Sequence, residues 1–503
     1  MLAEPQLRAL GSRVPPALRL PLAVFLACQA CLLLWWAAFY PGLMSVDSVV
    51  YTWQVTTGNW RSDHSVLYNS LVWLSLHSTG DLGALTLLQT TAMSAVLAYA
   101  CAGLRTLGVR GRWSAPAAVA CAAAPPLGSF TVFLWKDVPF TICAVLVFAV
   151  TVRLTGRRLR EGRPVRPRRS ELLLLGAGLL GVDLFRNNGL PMAAIASLAL
   201  VLALPGARLL IAGLAAATTS LTLLLTLVAY PAAGIAQPDK AFLYNLHNAD
   251  LSVAYARAPG LFTPDELRLM TRVAPLSTWR DAGTNCYASD PFYYNASVNR
   301  TAADLNAAPL MRLWWHTLRD SPQQILAARL CRAHIAWAVF PGPPDKDART
   351  WTYGTAVPAD LWGFGAIQDS PYKAVLKARP PSQALNHAAV FARSAFGVPQ
   401  LEWLLWRGAT WCWATYALVV LLARARRRRA LLALAGVSLG VQLTVIAANP
   451  APCFRYMAAP MFIGVLCLSL IPALRSGLCH SNEPRPDRIV SILARRPGTH
   501  NYP

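Results

Sequence analysis

The chain has 503 residues, 55% hydrophobic and 14% charged, with 46 Lys and Arg against 23 Asp and Glu and a net charge of +23 at pH 7. A soluble globular chain carries about 25% charged residues, so this composition, with a mean hydropathy of +0.39, argues against a large soluble enzyme and against a disordered chain. The arginines cluster between long apolar runs, which reads as a polytopic membrane protein obeying the positive-inside rule rather than as a nucleic-acid binder.

A bilayer core takes about 20 apolar residues per helix, and runs of that order mark the predicted spans. The first, 18–40, follows Arg8, Arg13 and Arg19. It is too long for a cleaved signal segment and has no clear small-residue cleavage site, so it reads as a retained anchor with its amino end inside. The run 66–79 (VLYNSLVWLSLHST) is too short to span comfortably and reads as a half-helix or interfacial helix on the outer side. Further spans are predicted over 84–104, 114–131, 138–152, 171–185, 188–205, 209–231, 403–422, 430–448 and 455–474. With the anchor that makes about ten, an even count that puts both termini in the cytoplasm.

The expected fold class is therefore an all-α polytopic membrane protein with an extracytoplasmic soluble domain. Residues 1–231 form the amino-terminal bundle with a first outer loop at 41–65, 232–402 the soluble domain, 403–474 the last spans and 475–503 a basic cytoplasmic tail. Predicted inside loops hold Arg105, Arg110 and Arg112, the burst from Arg153 to Arg169, the run Arg424 to Arg429, and Arg475, Arg485, Arg488, Arg495 and Arg496 of the tail. The stretch 232–402 instead mixes acids and bases and is rich in Pro, Tyr, Trp and Asn. Within it, 322–341 is long enough to span, but Arg329, Arg332 and His334 would sit near mid-bilayer at a cost of a few kcal/mol each. A span there would also move the 424–429 cluster outside, so the run reads as an amphipathic helix on the outer surface. The absence of an internal repeat weakens the case for a transporter built from repeated halves.

Cys28, Cys31, Cys101, Cys121, Cys143, Cys412 and Cys467 lie in apolar runs, where cysteine behaves as a small hydrophobe. Cys286 and Cys331 fall in the polar segment, and spacing leaves their pairing open.

Five polar groups next to predicted span ends face outward. In the first, Met44 to Ser48, Asp47 is placed to act as a general base toward a hydroxyl, or else Asp47 or Ser45 caps a helix over 48–56. The polar, aromatic stretch from Tyr51 to His64 follows. The second is Trp135-Lys136-Asp137-Val138-Pro139-Phe140, where Lys136 suits an anionic headgroup and Asp137 suits orienting it or binding a cation; the alternative is an interfacial anchor and a cap. In the third, Arg186 offers a fixed fork of donors to phosphate and Asn187 and Asn188 suit sugar hydroxyls, unless 183–189 is only a polar turn closed by Gly189. The fourth, Asn449 to Tyr456, carries Arg455 either as an anion ligand or as a snorkelling arginine beside an interfacial Tyr456. The fifth, Tyr244, Asn245, His247, Asn248 and Asp250, reads best as folded polar surface. Asn295-Ala296-Ser297 matches a glycosylation acceptor, a weak pattern on its own. One acid and three cations converging on one membrane face suit a lipid-linked anion brought to a hydroxyl acceptor.

The order of these pieces resembles the GT-C superfamily of membrane glycosyltransferases, and more narrowly a group of bacterial, often actinobacterial, membrane proteins. The motifs are Tyr40-Pro41-Gly42-Leu43-Met44-Ser45-Val46-Asp47-Ser48, Trp135 to Phe140, Arg186 to Gly189, and Arg455-Tyr456. The likeness covers most of the membrane part and little of 232–402. It implies inverting transfer of a sugar from a polyprenyl-phosphate donor to a glycan, lipid or protein acceptor outside the cell membrane. Asp47 would be the catalytic base and Lys136, Arg186 and Arg455 the ligands of the donor phosphate, with Asp137, Asn187, Asn188, His64 and Tyr456 lining the substrate. Some members use a divalent cation, and this first loop has no dense carboxylate cluster, so a metal is left open. The competing readings are a transporter or flippase of lipid-linked sugars and a non-catalytic subunit of an envelope-assembly complex.

Overall fold

A computed structural model describes residues 15–162, 164–342 and 375–474. The predicted basic tail, with Arg8, Arg13 and Arg163, lies outside the described residues. In chain order the longer helices are α1 (Pro16–Ala38), α2 (Val46–Thr57), α3 (Val66–Thr79), α4 (Gly83–Thr106), α5 (Gly111–Ala123) and α6 (Asp137–Glu161). Next come α7 (Arg169–Phe185), α8 (Gly189–Ala203), α9 (Arg208–Leu224), α10 (Asn245–Arg257), α11 (Pro264–Val273) and α12 (Leu276–Thr284). The last are α13 (Ala307–Asp320), α14 (Pro322–Arg332), α15 (Gln383–Ala395), α16 (Gly408–Ala425), α17 (Gly436–Ala447) and α18 (Ala458–Leu468). Among the described residues, β pairing is confined to two isolated bridges, Leu43 with Phe133 and Arg61 with Ala236.

Among the described residues the fold is all-α, and 6 helices are long and apolar enough to cross a membrane: α1, α4, α6, α16, the run Pro205–Ala232 that contains α9, and the run Arg429–Ala447 that ends in α17. Their apolarity is not all spent on the core. Leu18, Leu26 and Leu34 of α1 and Leu209, Leu224 and Leu227 of the α9 run are exposed, apolar surface of the kind a bilayer covers. The other predicted spans are shorter or broken. The run 114–131 splits where Ala124 turns extended before Pro125 and Pro126, because a residue preceding proline is pushed out of the helical region. Helices α7 and α8 have 17 and 15 residues.

Helices α1, α4, α6, α7, α8, α16, α17 and α18 share one large hydrophobic core. At one end of this bundle the arginine clusters meet. Glu171 at the start of α7 accepts from Arg153 (3.1 Å) and Arg157, Arg160 donates to the Arg105 carbonyl, and Arg426 donates to the Leu107 carbonyl at 2.8 Å. At the other end lie the α1–α2 connection, the starts of α6 and α8 and the α17–α18 connection.

Among the described residues of 232–402, a separate core runs over Ala241 to Ile325, built mainly from α10 to α14. Val375, Leu376 and Ala389 belong to the bundle core instead, and Asn386 of α15 donates to the Ala38 carbonyl at the end of α1 at 2.8 Å. The run 322–341, expected as one surface amphipathic helix, is interrupted at Ala333 between α14 and a short turn His334–Trp337. Its Arg332 is fully buried rather than solvent-facing.

Candidate functional site

The site forms at the bundle end opposite the arginine clusters. The connection after α1 is stitched to the segment before α6: the Leu43 N–H donates to the Val132 carbonyl at 2.9 Å and the Leu43 carbonyl accepts from Leu134 N–H at 2.8 Å. Ser45 is the cap residue of α2. Its N–H donates to Ser48 Oγ at 3.0 Å, Trp135 Nε1 donates to its hydroxyl, and Ser48 Oγ donates to the Leu134 carbonyl at 2.9 Å. Capping is thereby accomplished without Asp47, whose carboxylate in the first turn accepts from Arg455 Nη1. The snorkelling alternative for Arg455 fails for the same reason: its side chain is only 15% exposed and turns into the protein.

Asp137 opens α6 with its side chain 1% exposed and shares itself between Arg186 Nη1 at 2.9 Å and Arg455 Nη1 at 3.9 Å. Arg186 ends α7 and lies 4.5 Å from the Tyr456 ring and 5.3 Å from that of Phe140. Arg455 lies 5.0 Å from the Trp135 ring and donates to the Tyr456 hydroxyl at 3.3 Å. The Arg186 turn closes with Gly189 N–H on the Arg186 carbonyl at 2.8 Å, and a Cβ at Gly189 would run into the Val182 carbonyl. The turn read from the sequence is therefore real, and it presents a buried arginine.

Lys136, the cap residue of α6, completes the group. Burial lowers its pKa, as do the nearby Arg186 and Arg455, against the opposing pull of Asp137 and Asp47. For Asp47, burial pushes the carboxyl up, but Arg455, His64 and Lys136 outweigh it and hold it below the ordinary value. His64 is set edge-on to Tyr51 at 5.3 Å and reaches the Asp63 carboxylate at 3.3 Å. Burial would raise Asp63, but the His64 hydrogen bond and the charges of His64, Arg61 and Lys136 bring it down to about 2. Asn187 is exposed and donates to the Asp63 carbonyl at 3.4 Å, while Asn188 is half-buried as the cap residue of α8. Asp47, Lys136, Asp137, Arg186, Arg455 and Tyr456 thus meet, His64 adjoins them, and Asn187 and Asn188 stand at the rim.

The small lobe grips the Arg455 loop twice. Ser289 N–H donates to the Pro450 carbonyl at 2.9 Å, with Asn245 Nδ2 on Ser289 Oγ at 3.2 Å. On the other side Arg329 Nη1 donates to the Ala447 carbonyl at 2.7 Å and Asn449 Nδ2 to the Arg332 carbonyl at 2.6 Å. Both arginines end on Asp250, which is 0% exposed and also accepts from Trp314 Nε1 at 2.9 Å. A Cys286–Cys331 disulfide joins the two grips. The expectation that 244–250 is polar surface is thus corrected: Asn245, Asn248 and Asp250 are buried, because Asp250 answers two arginines that the lobe must bury in order to reach the loop.

Sequence reading missed Asp63, Tyr51, Asp290 and the Ser45–Trp135 bond. Asp63 was within reach as the neighbour of His64. Asp290, far off in the chain, has its carboxyl pKa raised, by burial first, against a Ser289 hydrogen bond that lowers it, with the charge of Asp47 adding to the rise. Among the described residues no three His, Cys, Asp or Glu side chains lie close enough to hold a metal ion. Arg455 already stands between the carboxylates of Asp47 and Asp137, so these residues do not fit a divalent cation. Compared with protein-family models, curated proteins and solved structures, the chain matches none.

Proposed function

We propose that the protein is a membrane glycosyltransferase of the GT-C kind, moving a sugar from a polyprenyl-phosphate donor to an extracytoplasmic hydroxyl acceptor with inversion. The observation that carries this reading is Asp47: relieved of capping by Ser45, its carboxylate pairs with Arg455 in a charged cluster that also holds Lys136 and Arg186. In the reaction Asp47 takes the acceptor hydroxyl proton and the oxygen attacks the anomeric carbon. The glycosidic bond to phosphate breaks, and its electron pair leaves on the polyprenyl phosphate. Preorganised cations in a poorly hydrated site stabilise such a leaving group strongly, and guanidinium forks match its oxygens.

A ten-span arrangement follows if 111–131, α7, α8 and 454–468 cross beside the 6 longer helices. The arginine clusters would then lie inside by the positive-inside rule, with both termini in the cytoplasm of a cell-membrane protein. The lobe would lie outside, where the Cys286–Cys331 disulfide is expected to persist. The test is transfer by the purified protein in lipid vesicles, from labelled polyprenyl-phosphate sugars to a crude envelope acceptor. Asp47→Asn is expected to lower transfer about a hundredfold or more with insertion intact. Equal transfer by the variant removes Asp47 as base, and no transfer from any donor by the intact protein turns the reading to transport or scaffolding.

A further inference from the structure

The arginine-rich end of the bundle carries a cavity of about 310 Å³, bounded by the end of α6, the segment after it, the end of α8 and the connection after α16. Its cationic rim is Arg158, Arg427, Arg428 and Arg429, and its apolar wall includes Pro164 and Leu204. No acid lines it among the described residues. Neighbouring arginines are answered inside the protein, Arg153 and Arg157 by Glu171, and Arg160 and Arg426 by backbone carbonyls. The four rim arginines have no carboxylate partner among the described residues.

Arg427 adds an independent sign. Helix α16 ends in a Schellman motif, with Arg428 N–H on the Ala423 carbonyl at 2.9 Å and Arg427 N–H on the Arg424 carbonyl at 3.1 Å. This places Arg427 at the left-handed position, φ 50°, the one positive φ at a non-glycine residue among the described residues. Glycine is the ordinary occupant of that position because a Cβ is penalised there. An arginine kept there at the expense of local backbone comfort, on the rim of a cavity with three others, points to a ligand.

We infer that this cavity is a binding site for the phosphate group of an anionic phospholipid of the membrane leaflet on the arginine side. A phosphate suits the guanidinium forks, and basic pockets between membrane helices are apt for anionic headgroups. The lipid as carrier follows from the surroundings: the helices α8 and α9 that flank the cavity-lining residues Leu204, Pro205 and Gly206 carry the exposed Leu198, Leu202, Leu209 and Leu210, apolar side chains suited to acyl chains. The site is separate from the Asp47 cluster and does not depend on its proposed chemistry.

The test uses the delipidated full-length protein in detergent, titrated with phosphatidylglycerol, phosphatidylcholine or inorganic phosphate, with bound molecules counted by native mass spectrometry. Wild type is expected to retain phosphatidylglycerol in preference to phosphatidylcholine, with affinity falling about fivefold for each arginine removed. Arg427→Gly separates binding from folding: it should unfold at the same or a higher temperature, yet hold phosphatidylglycerol about fivefold more weakly. The double variant Arg428→Gln with Arg429→Gln should lose more. Equal retention of the two lipids, or variants that bind phosphatidylglycerol like wild type, overturns the site. Saturation by inorganic phosphate, with no preference for phosphatidylglycerol, overturns the lipid as carrier.

Discussion

Asp250→Asn isolates the charge on which the grip of the lobe depends. Asparagine keeps the shape of the side chain but leaves Arg332, 0% exposed, and Arg329, 14% exposed, with no carboxylate. Exposed ion pairs contribute about 0–1 kcal/mol, whereas stranding one partner of a buried pair costs about 3–5 kcal/mol. Full burial of Asp250 and Arg332 puts this case in the second class. At about 1.4 kcal/mol per tenfold, local opening should rise by roughly two to three and a half orders of magnitude. Hydrogen exchange of the α10 and α14 amides reads this directly, because the loss falls on the lobe before the bundle. The double variant Asp250→Asn with Arg332→Met should recover much of the protection, since an apolar replacement removes the stranded charge. Because the Arg332 carbonyl holds Asn449, transfer activity should fall with the single variant and return in part with the double. Protection of α10 and α14 within threefold of wild type in Asp250→Asn would refute the reasoning.

The pH dependence of the same lobe has a defined sign. Burial first, then Arg329 and Arg332, lowers His247 from 6.5 to about 4. The folded state therefore resists a proton that the unfolded state accepts, so this contribution is complete above pH 6.5 and is lost as pH falls toward 4. Thermal unfolding of His247→Gln should be flatter than wild type across that window, and parallel curves would count against it. Reduction of Cys286–Cys331, whose partners lie 45 residues apart, should cost roughly 2–4 kcal/mol in the lobe and lower transfer by loosening both grips on the Arg455 loop; unchanged turnover after verified reduction would separate the disulfide from the site. Gly189→Ala should cost about 1–3 kcal/mol as an overpacked turn and weaken transfer by displacing Arg186. Wild-type kinetics in that variant would mean that the turn adapts.

What could be read from the sequence is what repeats locally or sits in one short segment. Apolar runs and arginine clusters are local signals, so the helical membrane character and the place of α1, α4, α6 and α16 were legible. So was the set Asp47, Lys136, Asp137, Arg186 and Arg455, because each stands beside the end of an apolar run, where polarity is conspicuous. The pairing of these residues was not legible. Asp47 and Arg455 are separated by 408 positions, and no periodicity encodes that Ser45 would cap α2 while Asp47 turned inward. Asp250 misled for a related reason: an acid among Asn and His looks solvated until Arg329 and Arg332 arrive from α14 to bury it. The run 322–341 misled because hydropathy counts its arginines as a cost to be avoided, whereas the structure pays it with one carboxylate.

The ion pairs of the Asp47 site also explain why it is built from opposed charges rather than from cations alone. Three cations held together with no anion would repel one another and raise the cost of folding the loops that carry them. Asp137, buried between Arg186 and Arg455, offsets that repulsion and fixes both guanidinium groups against the rings of Tyr456 and Trp135. Asp47 occupies the remaining face of Arg455. On the proposed reading, a donor phosphate arriving at this face competes with Asp47 for Arg455. Each step of that exchange swaps one anion for another at the guanidinium, so Arg455 is never left without a counter-charge. The carboxylate released from Arg455 becomes more basic as it loses the charge that held its pKa down. It does so only when a donor is bound, which is when a base toward the acceptor hydroxyl is useful. Asp137, with two arginine partners and almost no exposure, cannot be released in this way, which separates a carboxylate that holds the site together from one free to react.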